Sequence, residues 1–150
     1  MPQSLAQIYV HVIFSTKNRT PCLTPEIQTE LWPYLAKVLE NLDCNAKALG
    51  GVADHVHVLC SLSKNLSVAE LVEEIKKPTS RWLKTKSPAL RDFYWQNGYA
   101  AFSVSRSGLD RVREYIAAQA DHHRRQSFQD ELRVFLKKHS VSFDEKYLWD

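Results

Sequence analysis

The order of hydrophobic patterns along the chain allows very few folds. Residues 5–16 alternate between two sets of side chains, as in a half-buried strand. Apolar residues at helical spacing follow to about residue 43, after Thr24 and Pro25, which form a typical N-cap and first helical position. Pro33 lies inside this pattern and predicts a local kink. The chain is therefore expected to begin with a strand and a helix.

The middle of the chain adds two strands and a second helix. Residues 44–52 and 55–62 are predicted to be strands joined by a tight turn near Asp54. A helix is expected to start near Ser67, and Pro78 is expected to break or bend it before the apolar pattern resumes.

The last third of the chain completes the pattern. Residues 93–105 predict a strand, and residues 109–125 and 128–139 predict two helices, the second with Ser127 as its N-cap. The order β-α-β-β-α-β followed by helices predicts an α+β fold of the ferredoxin-like (RRM-like) type. We expect an antiparallel sheet with helices on one face, the other face open for binding, and a single domain over residues 1–150.

Composition excludes several classes of protein. Hydrophobic residues make up 44% and charged residues 25%, as in ordinary globular domains. Three widely spaced cysteines and the lack of a signal-peptide pattern predict free thiols in the cytoplasm. The sequence contains no run of 18 or more apolar residues, so no transmembrane helix is predicted. Neither of the usual glycine-rich nucleotide-binding motifs occurs.

The net charge of +3 conceals an uneven distribution. Residues 76–113 contain nine basic and two acidic residues, interleaved with aromatic ones, whereas residues 1–66 are balanced. Basic groups bind phosphates and aromatic rings stack on unpaired bases, so the stretch suits single-stranded nucleic acid. The alternative is a solvated helix face followed by a strand whose aromatic residues belong to the core.

The most informative short motif is His55-Val56-His57. Because strand side chains alternate, both imidazoles lie on one face, about 6–7 Å apart, and can bind one metal ion. By the same parity His11 is expected on that face. The alternative is two surface histidines on a solvated strand.

A second element is Tyr115 with Gln119, four residues apart on a predicted helix and hence on one side of it. The amide oxygen suits magnesium or manganese, although a packed tyrosine and a solvated glutamine are the simpler alternative. Combined with His55 and His57, these residues form a coherent site. The metal polarises a phosphate oxygen, and the tyrosine hydroxyl attacks phosphorus.

Four blocks of sequence resemble the single-tyrosine HUH transposases of bacterial insertion sequences, the IS200-like family. They are residues 9–19, residues 54–57, residues 95–103, and Tyr115 with Gln119. The resemblance implies that His55 and His57 are the metal pair, Gln119 the third ligand of Mg²⁺ or Mn²⁺, and Tyr115 the nucleophile that forms a 5′-phosphotyrosine. It also implies C-terminal helices that carry this tyrosine.

The resemblance further implies a substrate and an assembly. Relatives act on single-stranded DNA with hairpins near the element ends, and they work as homodimers in which one subunit's tyrosine can complete the other's site. Helical spacing places His122, three residues beyond Gln119, on the same side of the helix, where it would contact phosphate or face solvent, and His11 is a second possible accessory residue. The predicted DNA-binding residues are Lys17, Arg19, Lys76, Lys77, Arg81, Lys84 and Arg106.

Two other functions fit parts of the sequence. One is a non-catalytic module of the same fold that binds single-stranded nucleic acid, as a decayed or domesticated relative. The other is a zinc protein that uses Cys44, His55, His57 and Cys60, although Cys60 has the opposite strand parity from the histidines.

Overall fold

Four strands form one antiparallel sheet in the computed structural model, which describes residues 2–150. They are β1 (Tyr9–Ser15), β2 (Ala46–Gly51), β3 (His55–Ser61) and β4 (Ala100–Val104), in the spatial order β2-β3-β1-β4. The two central strands place Ile13 opposite His57 and His11 opposite Leu59. The strand order is that of a ferredoxin-like sheet, so the predicted fold class is confirmed.

Two long helices cover one face of the sheet. They are α1 (Pro25–Asn41), capped by Thr24, and α2 (Val68–Lys84), where Ser67 and Glu70 form a capping box. Their apolar sides pack on the even-numbered residues of β1 and β3, including Val12, Phe14 and Val58. This face is the main hydrophobic core.

Four further helices cover the second face, which the sequence had predicted to be open. They are α3 (Leu109–Ala117), α4 (Gln119–His122), α5 (Phe128–Lys138) and α6 (Glu145–Leu148). The open-face prediction is wrong because this face carries apolar side chains of its own. Ile13 and Phe102 pack against Phe128 and Leu132 of α5, and Leu59 packs against Ile116 of α3.

The prolines do not interrupt their helices, although a break was predicted near Pro78. Residues on either side of Pro33 in α1, Leu31 and Leu35, are fully buried. Thr79, directly after Pro78, is also fully buried and accepts a hydrogen bond from the indole of Trp95. Tertiary packing therefore keeps both helices continuous despite the lost backbone donor.

Two predicted elements are shorter than expected. Only residues 100–104 of the predicted strand 93–105 join the sheet, because Phe93 and Trp95 turn into the main core and Trp95 makes a single bridge to Thr16. The helix predicted over 109–125 is divided at Ala118 into α3 and α4. Within the described residues no helix is long and apolar enough to cross a membrane.

Candidate active site

The two histidines at the start of β3 lie beneath the C-terminal helices. Both side chains are completely buried. His55 Nδ1 lies 2.7 Å from Asp54 Oδ1, and His57 Nδ1 lies 2.8 Å from His11 Nε2. Each outer nitrogen is thus occupied by a hydrogen bond, which fixes the ring orientation and leaves both Nε2 atoms directed at the same small volume. His11 is on the same face, as its strand parity predicted.

Tyr115 and Gln119 reach this volume from the covering helices. Gln119 is 1% exposed, and its Oε1 lies 3.1 Å from His55 Nε2. The ring of Tyr115 meets the ring of His57 edge-on, with 5.8 Å between centroids. The hydroxyl of Tyr115 is therefore brought beside the histidine pair of the same chain, although α3 ends between the tyrosine and the glutamine.

Glu131, on α5, lies at the centre of the cluster and was missed by the sequence analysis. It is 1% exposed. Its Oε1 lies 3.1 Å from His57 Nε2 and 3.3 Å from His55 Nε2. Its Oε2 accepts hydrogen bonds from the Tyr115 hydroxyl and, at 3.1 Å, from Gln119 Nε2. One carboxylate therefore links all four residues that the sequence had assigned to catalysis and metal binding.

His123 joins the same cluster from the segment after α4. Its Nδ1 lies 2.7 Å from the carbonyl of Gln126, and its Nε2 lies 3.0 Å from Gln119 Oε1 and 3.2 Å from Glu131 Oε2. The adjacent His122 is half-exposed at the edge, with its Nε2 3.6 Å from Glu131 Oε2. The sequence had selected His122, but His123 is the one directed into the cluster.

A signal for Glu131 was present in the sequence. Phe128, Leu132 and Phe135 form the apolar side of α5, and Glu131 occupies a position on that same side. A carboxylate on the buried side of an amphipathic helix is costly unless hydrogen bonds or a cation compensate it. Its presence there indicates a polar partner on the facing sheet.

Burial and hydrogen bonding shift the pKa values of these groups in opposite directions. Burial alone raises the pKa of a carboxyl group, yet hydrogen bonds from His123, His55 and His57 hold the pKa of Glu131 far below its usual range. Burial lowers the pKa of His55, but its bonds to Asp54 and Glu131 outweigh this and raise that pKa to about 8. Burial lowers the pKa of His57 to about 4. The cluster therefore combines a carboxylate with a neutral imidazole at neutral pH.

The remaining two groups, His11 and Tyr115, are held in their neutral forms. Burial, and then the positive form of His57, lower the pKa of His11 to about 3. Burial and the neighbouring Glu131 carboxylate raise the pKa of the Tyr115 hydroxyl. The phenol therefore keeps its proton at neutral pH and donates it in a hydrogen bond to Glu131.

The donor set fits a divalent metal ion. One ligand atom each from His55, His57, His123 and Glu131 lie within 4.8 Å of one another. Nitrogen and carboxylate ligands bind a metal at about 2.0–2.2 Å, so neighbouring ligand atoms about 3 Å apart suit a shared ion. The contacts of 3.1 and 3.3 Å from Glu131 to the imidazoles of His57 and His55 have this spacing.

A cavity of about 220 Å³ lies beside Tyr115, between α3 and α5. His11 and Glu131 contribute to its inner wall, and the exposed residues Arg111 and Lys138 stand among its lining residues. The arrangement offers a mainly apolar space beside Tyr115 with two cations among its lining residues that suit a phosphate chain.

The predicted DNA-binding residues lie in different parts of the molecule. Lys17 and Arg19 occupy the turn after β1, and Lys84 points over the ring of Tyr94, 4.5 Å from its centroid. Arg106 lies at the other end of β1, near the hydroxyl of Tyr9. Arg81 is exposed on α2. The set therefore does not form one continuous surface.

Two of the lysines in this set are engaged within the protein. The ammonium of Lys76 donates to the carbonyls of Gln96 and Gly98, at 2.8 and 2.7 Å, and burial lowers its pKa to about 8. Lys77 pairs with Glu73 on the exposed side of α2. Of the aromatic residues in 76–113, Tyr94 and Tyr99 are strongly exposed, whereas Phe93, Trp95 and Phe102 are core.

The structure separates the cysteines from the histidines. Cys44 and Cys60 are buried in the main core, on the side of the sheet away from the cluster, and all three cysteines are free thiols. Burial raises the pKa of the Cys60 thiol to about 12. The zinc site built from Cys44, His55, His57 and Cys60 is therefore excluded by the opposite faces of β3.

Comparisons with known proteins identify the family. The sequence model of the family "Transposase IS200 like" matches residues 4–119. The ISDra2 transposase TnpA of Deinococcus radiodurans is 23% identical over 120 residues, which cover 77% of this chain and 86% of that protein. The family match includes Tyr115 and Gln119 but ends before His123 and Glu131.

Solved structures share the fold. The crystal structure of a transposase from Deinococcus radiodurans R1 superposes with a TM-score of 0.62 at 22% identity, covering 79% of this chain and 98% of that one. A REP-associated tyrosine transposase bound to a REP hairpin gives a TM-score of 0.57 at 17% identity, covering 82% and 74%. The family model matches this chain over most of the chain's length, so the chain belongs to the IS200-like family of tyrosine transposases.

Proposed function

We propose that this protein is a metal-dependent transposase of single-stranded DNA that cleaves and rejoins strands at insertion-sequence ends through a 5′-phosphotyrosine. The observation that carries the proposal is the placement of the Tyr115 hydroxyl in one buried cluster with His55, His57 and Gln119. A half-buried phenol whose hydroxyl contacts a group of potential metal ligands is suitably placed for a nucleophile.

His55, His57 and Gln119 would hold the ion, for which Mg²⁺ and Mn²⁺ are the candidates. When bound, the ion supplies Lewis-acid polarisation of a phosphate oxygen. Asp54 and His11 orient the two imidazoles through their Nδ1 atoms. These hydrogen bonds keep each ring in place before a ligand arrives, so little reorganisation accompanies binding.

Tyr115 performs the covalent step. Its hydroxyl oxygen attacks phosphorus, the bond from phosphorus to the 3′ oxygen breaks, and the leaving 3′ oxygen takes a proton from water to become a free 3′-hydroxyl. The hydroxyl proton of Tyr115 is directed at Glu131 Oε2, which is placed to accept it. A 3′-hydroxyl later attacks the phosphotyrosine, which restores the phosphodiester and the tyrosine.

Hairpin recognition is proposed for the substrate. The REP-associated relative is bound to a hairpin. This chain offers Lys17, Arg19 and Lys84 around the end of β1 as a basic surface for such a structure. We place the protein in the cytoplasm because its proposed DNA substrate is there.

The adduct between protein and DNA tests the function. Wild-type protein, incubated with Mg²⁺ or Mn²⁺ and single strands from the palindromic flanks of its gene, is expected to form a covalent species resistant to denaturing electrophoresis. Tyr115→Phe should abolish the adduct while leaving binding intact, and Tyr147→Phe, an exposed tyrosine on α6, should not change it. Binding without any adduct across these substrates would favour the non-catalytic module.

The family resemblance supports a homodimer, and one chain already contains the whole cluster. We therefore expect two sites that each act in cis. Mixing His57→Ala subunits with Tyr115→Phe subunits in verified heterodimers should restore no cleavage. Recovery of cleavage would show that the tyrosine acts in trans, and a monomer in sedimentation would contradict the dimer.

A further inference from the structure

We infer that Glu131 and His123, which lie beyond the segment shared with the family, complete the metal centre and make it a site for transition-metal ions such as Mn²⁺ in preference to Mg²⁺. The inference rests on the proposed function for the two HUH histidines. It adds two ligands from the C-terminal part of the chain, where the family match has ended.

The convergence of nitrogen atoms is the first observation. His55, His57 and His123 each have Nδ1 engaged by an outside partner, namely Asp54, His11 and the carbonyl of Gln126. All three Nε2 atoms therefore remain directed at Glu131, at 3.3, 3.1 and 3.2 Å. A ring held at its far nitrogen by a hydrogen bond is typical of imidazoles that ligate metals.

The second observation is that the two oxygens of the Glu131 carboxylate have different neighbours. Oε1 faces the imidazoles of His55 and His57, whereas Oε2 lies 3.2 Å from His123 Nε2 and accepts hydrogen bonds from Tyr115 and Gln119. One oxygen is thus available to an ion among the histidines while the other holds the nucleophile. Hydrogen bonds from the imidazoles, Tyr115 and Gln119 compensate this buried carboxylate, and a divalent ion among the imidazoles would compensate its charge directly.

The composition of the set determines the preferred ion. Mg²⁺ favours oxygen ligands and retains several waters, whereas imidazole nitrogen suits transition metals. Three imidazoles and one carboxylate are therefore a poor site for Mg²⁺ and a better one for first-row transition ions, of which Mn²⁺ is the candidate for the proposed chemistry. Gln119 Oε1, 3.1 Å from His55 Nε2 and 3.0 Å from His123 Nε2, would also lie within reach of such an ion, which would polarise a phosphate oxygen.

Isothermal titration of the full-length protein with MnCl₂ and with MgCl₂, without DNA, tests the inference. Wild type is expected to bind one Mn²⁺ more tightly than Mg²⁺. Glu131→Gln and His123→Gln should each weaken Mn²⁺ binding by at least about 10-fold, because removing even the outer partner of a metal ligand costs about 10–100-fold. Asp130→Asn, the neighbouring exposed carboxylate on α5, and His122→Gln are the matched controls and should bind Mn²⁺ as wild type does.

Thermal unfolding separates ligation from a structural role. Mn²⁺ raises the melting temperature of wild type because it binds the folded state, and this rise should be lost in Glu131→Gln and His123→Gln. If these two variants keep wild-type Mn²⁺ affinity and the full rise, the inference is wrong. It is equally wrong if Mg²⁺ binds as tightly as Mn²⁺, or if His122→Gln weakens binding as much as His123→Gln does.

The metal titration and the adduct assay test separate proposals, so either proposal can be overturned while the other stands. Tight Mn²⁺ binding through Glu131 and His123 in a protein that never forms a DNA adduct would support this centre and overturn the transposase proposal. If wild type forms the adduct but Glu131→Gln leaves Mn²⁺ affinity unchanged, the transposase proposal is supported and this metal centre is overturned.

Discussion

His11 contacts a candidate metal ligand and does not face the candidate ion itself. Its Nε2 lies 2.8 Å from His57 Nδ1, and the ring of Phe135 on α5 covers it edge-on. Burial keeps His11 neutral, so one of the two facing nitrogens carries the shared hydrogen and the other accepts it. This bond determines that His57 presents Nε2 to the cluster, which gives His11 a positioning role.

We expect His11→Phe to weaken Mn²⁺ binding by about 10–100-fold, because the substitution keeps the ring but leaves His57 Nδ1 buried without a partner. Isothermal titration measures the affinity, and circular dichroism verifies the fold. His11→Asn, which can still offer a polar partner, should recover part of the affinity. Unchanged Mn²⁺ binding in His11→Phe would remove the positioning role.

Most of the cluster was accessible from the sequence because it follows from local periodicity. Alternation along β3 placed His55 and His57 on one face, and a spacing of four brought Tyr115 and Gln119 to one side of a helix. Glu131 could not be placed in this way. Its contacts with the sheet depend on how α5 returns across the second face, which is a long-range feature that no local pattern specifies.

At the scale of elements, α3 reaches the sheet where β2 contains glycine. A Cβ added to Gly50 would lie 2.8 Å from Ile116 Cγ2 and 3.1 Å from the Ile116 carbonyl oxygen. Ile116 directly follows Tyr115, so the close approach of helix and strand also determines the depth of the tyrosine.

Gly50→Ala is therefore expected to displace α3 and to destabilise the fold by about 1–3 kcal/mol, the usual cost of overpacking. Adduct formation should slow more than Mn²⁺ affinity falls, because the tyrosine moves while β3 does not. Gly98→Ala is the control, since the nearest atoms to its added Cβ are 3.8 Å away or farther. Chemical denaturation and the adduct assay provide the two measurements, and equal behaviour of the two variants would contradict the prediction.

The elements themselves were predictable where a pattern was strong and its context local. The sheet order and the helices α1, α2 and α5 follow from periodicity and caps such as Thr24 and Ser127. The covered second face was not predicted. The side chains of β1 alternate between the two faces of the sheet, and apolar residues occur on both faces, so the pattern does not distinguish a covered face from an open one. The break or bend predicted at Pro78 was wrong, because the burial of Thr79 stabilises the helix by more than the missing backbone N–H of Pro78 destabilises it.

At the scale of the molecule, the basic residues separate into distinct regions. Arg106 lies at the end of the sheet where β1 begins, and Lys17 at the end where it finishes. A seven-residue strand spans roughly 20 Å, so one hairpin stem contacting both would have to run along the sheet. Lys17 and Tyr94, which are exposed, and the half-buried Lys84 lie together at this end of the sheet.

Tyr94 is the aromatic residue best placed to contact an unpaired base of a DNA hairpin. It is 59% exposed, and the ammonium groups of Lys84 and Lys17 lie 4.5 and 5.7 Å from its ring centroid. Aromatic stacking on a base contributes about 1–3 kcal/mol, so Tyr94→Ala should weaken hairpin binding by about 5–150-fold. Lys84→Gln should in addition reduce the salt dependence of binding, because one phosphate contact is lost.

Tyr147 is the matched control for this surface, because it is 60% exposed and Lys146 lies 5.2 Å from its ring centroid. Fluorescence anisotropy with a labelled hairpin, repeated over a series of salt concentrations, measures both effects. Tyr147→Ala should leave the affinity unchanged if binding depends on the location of Tyr94 beside the end of β1. Equal losses in the two tyrosine variants would mean that any exposed aromatic residue next to a lysine contributes, and that this surface does not recognise the hairpin.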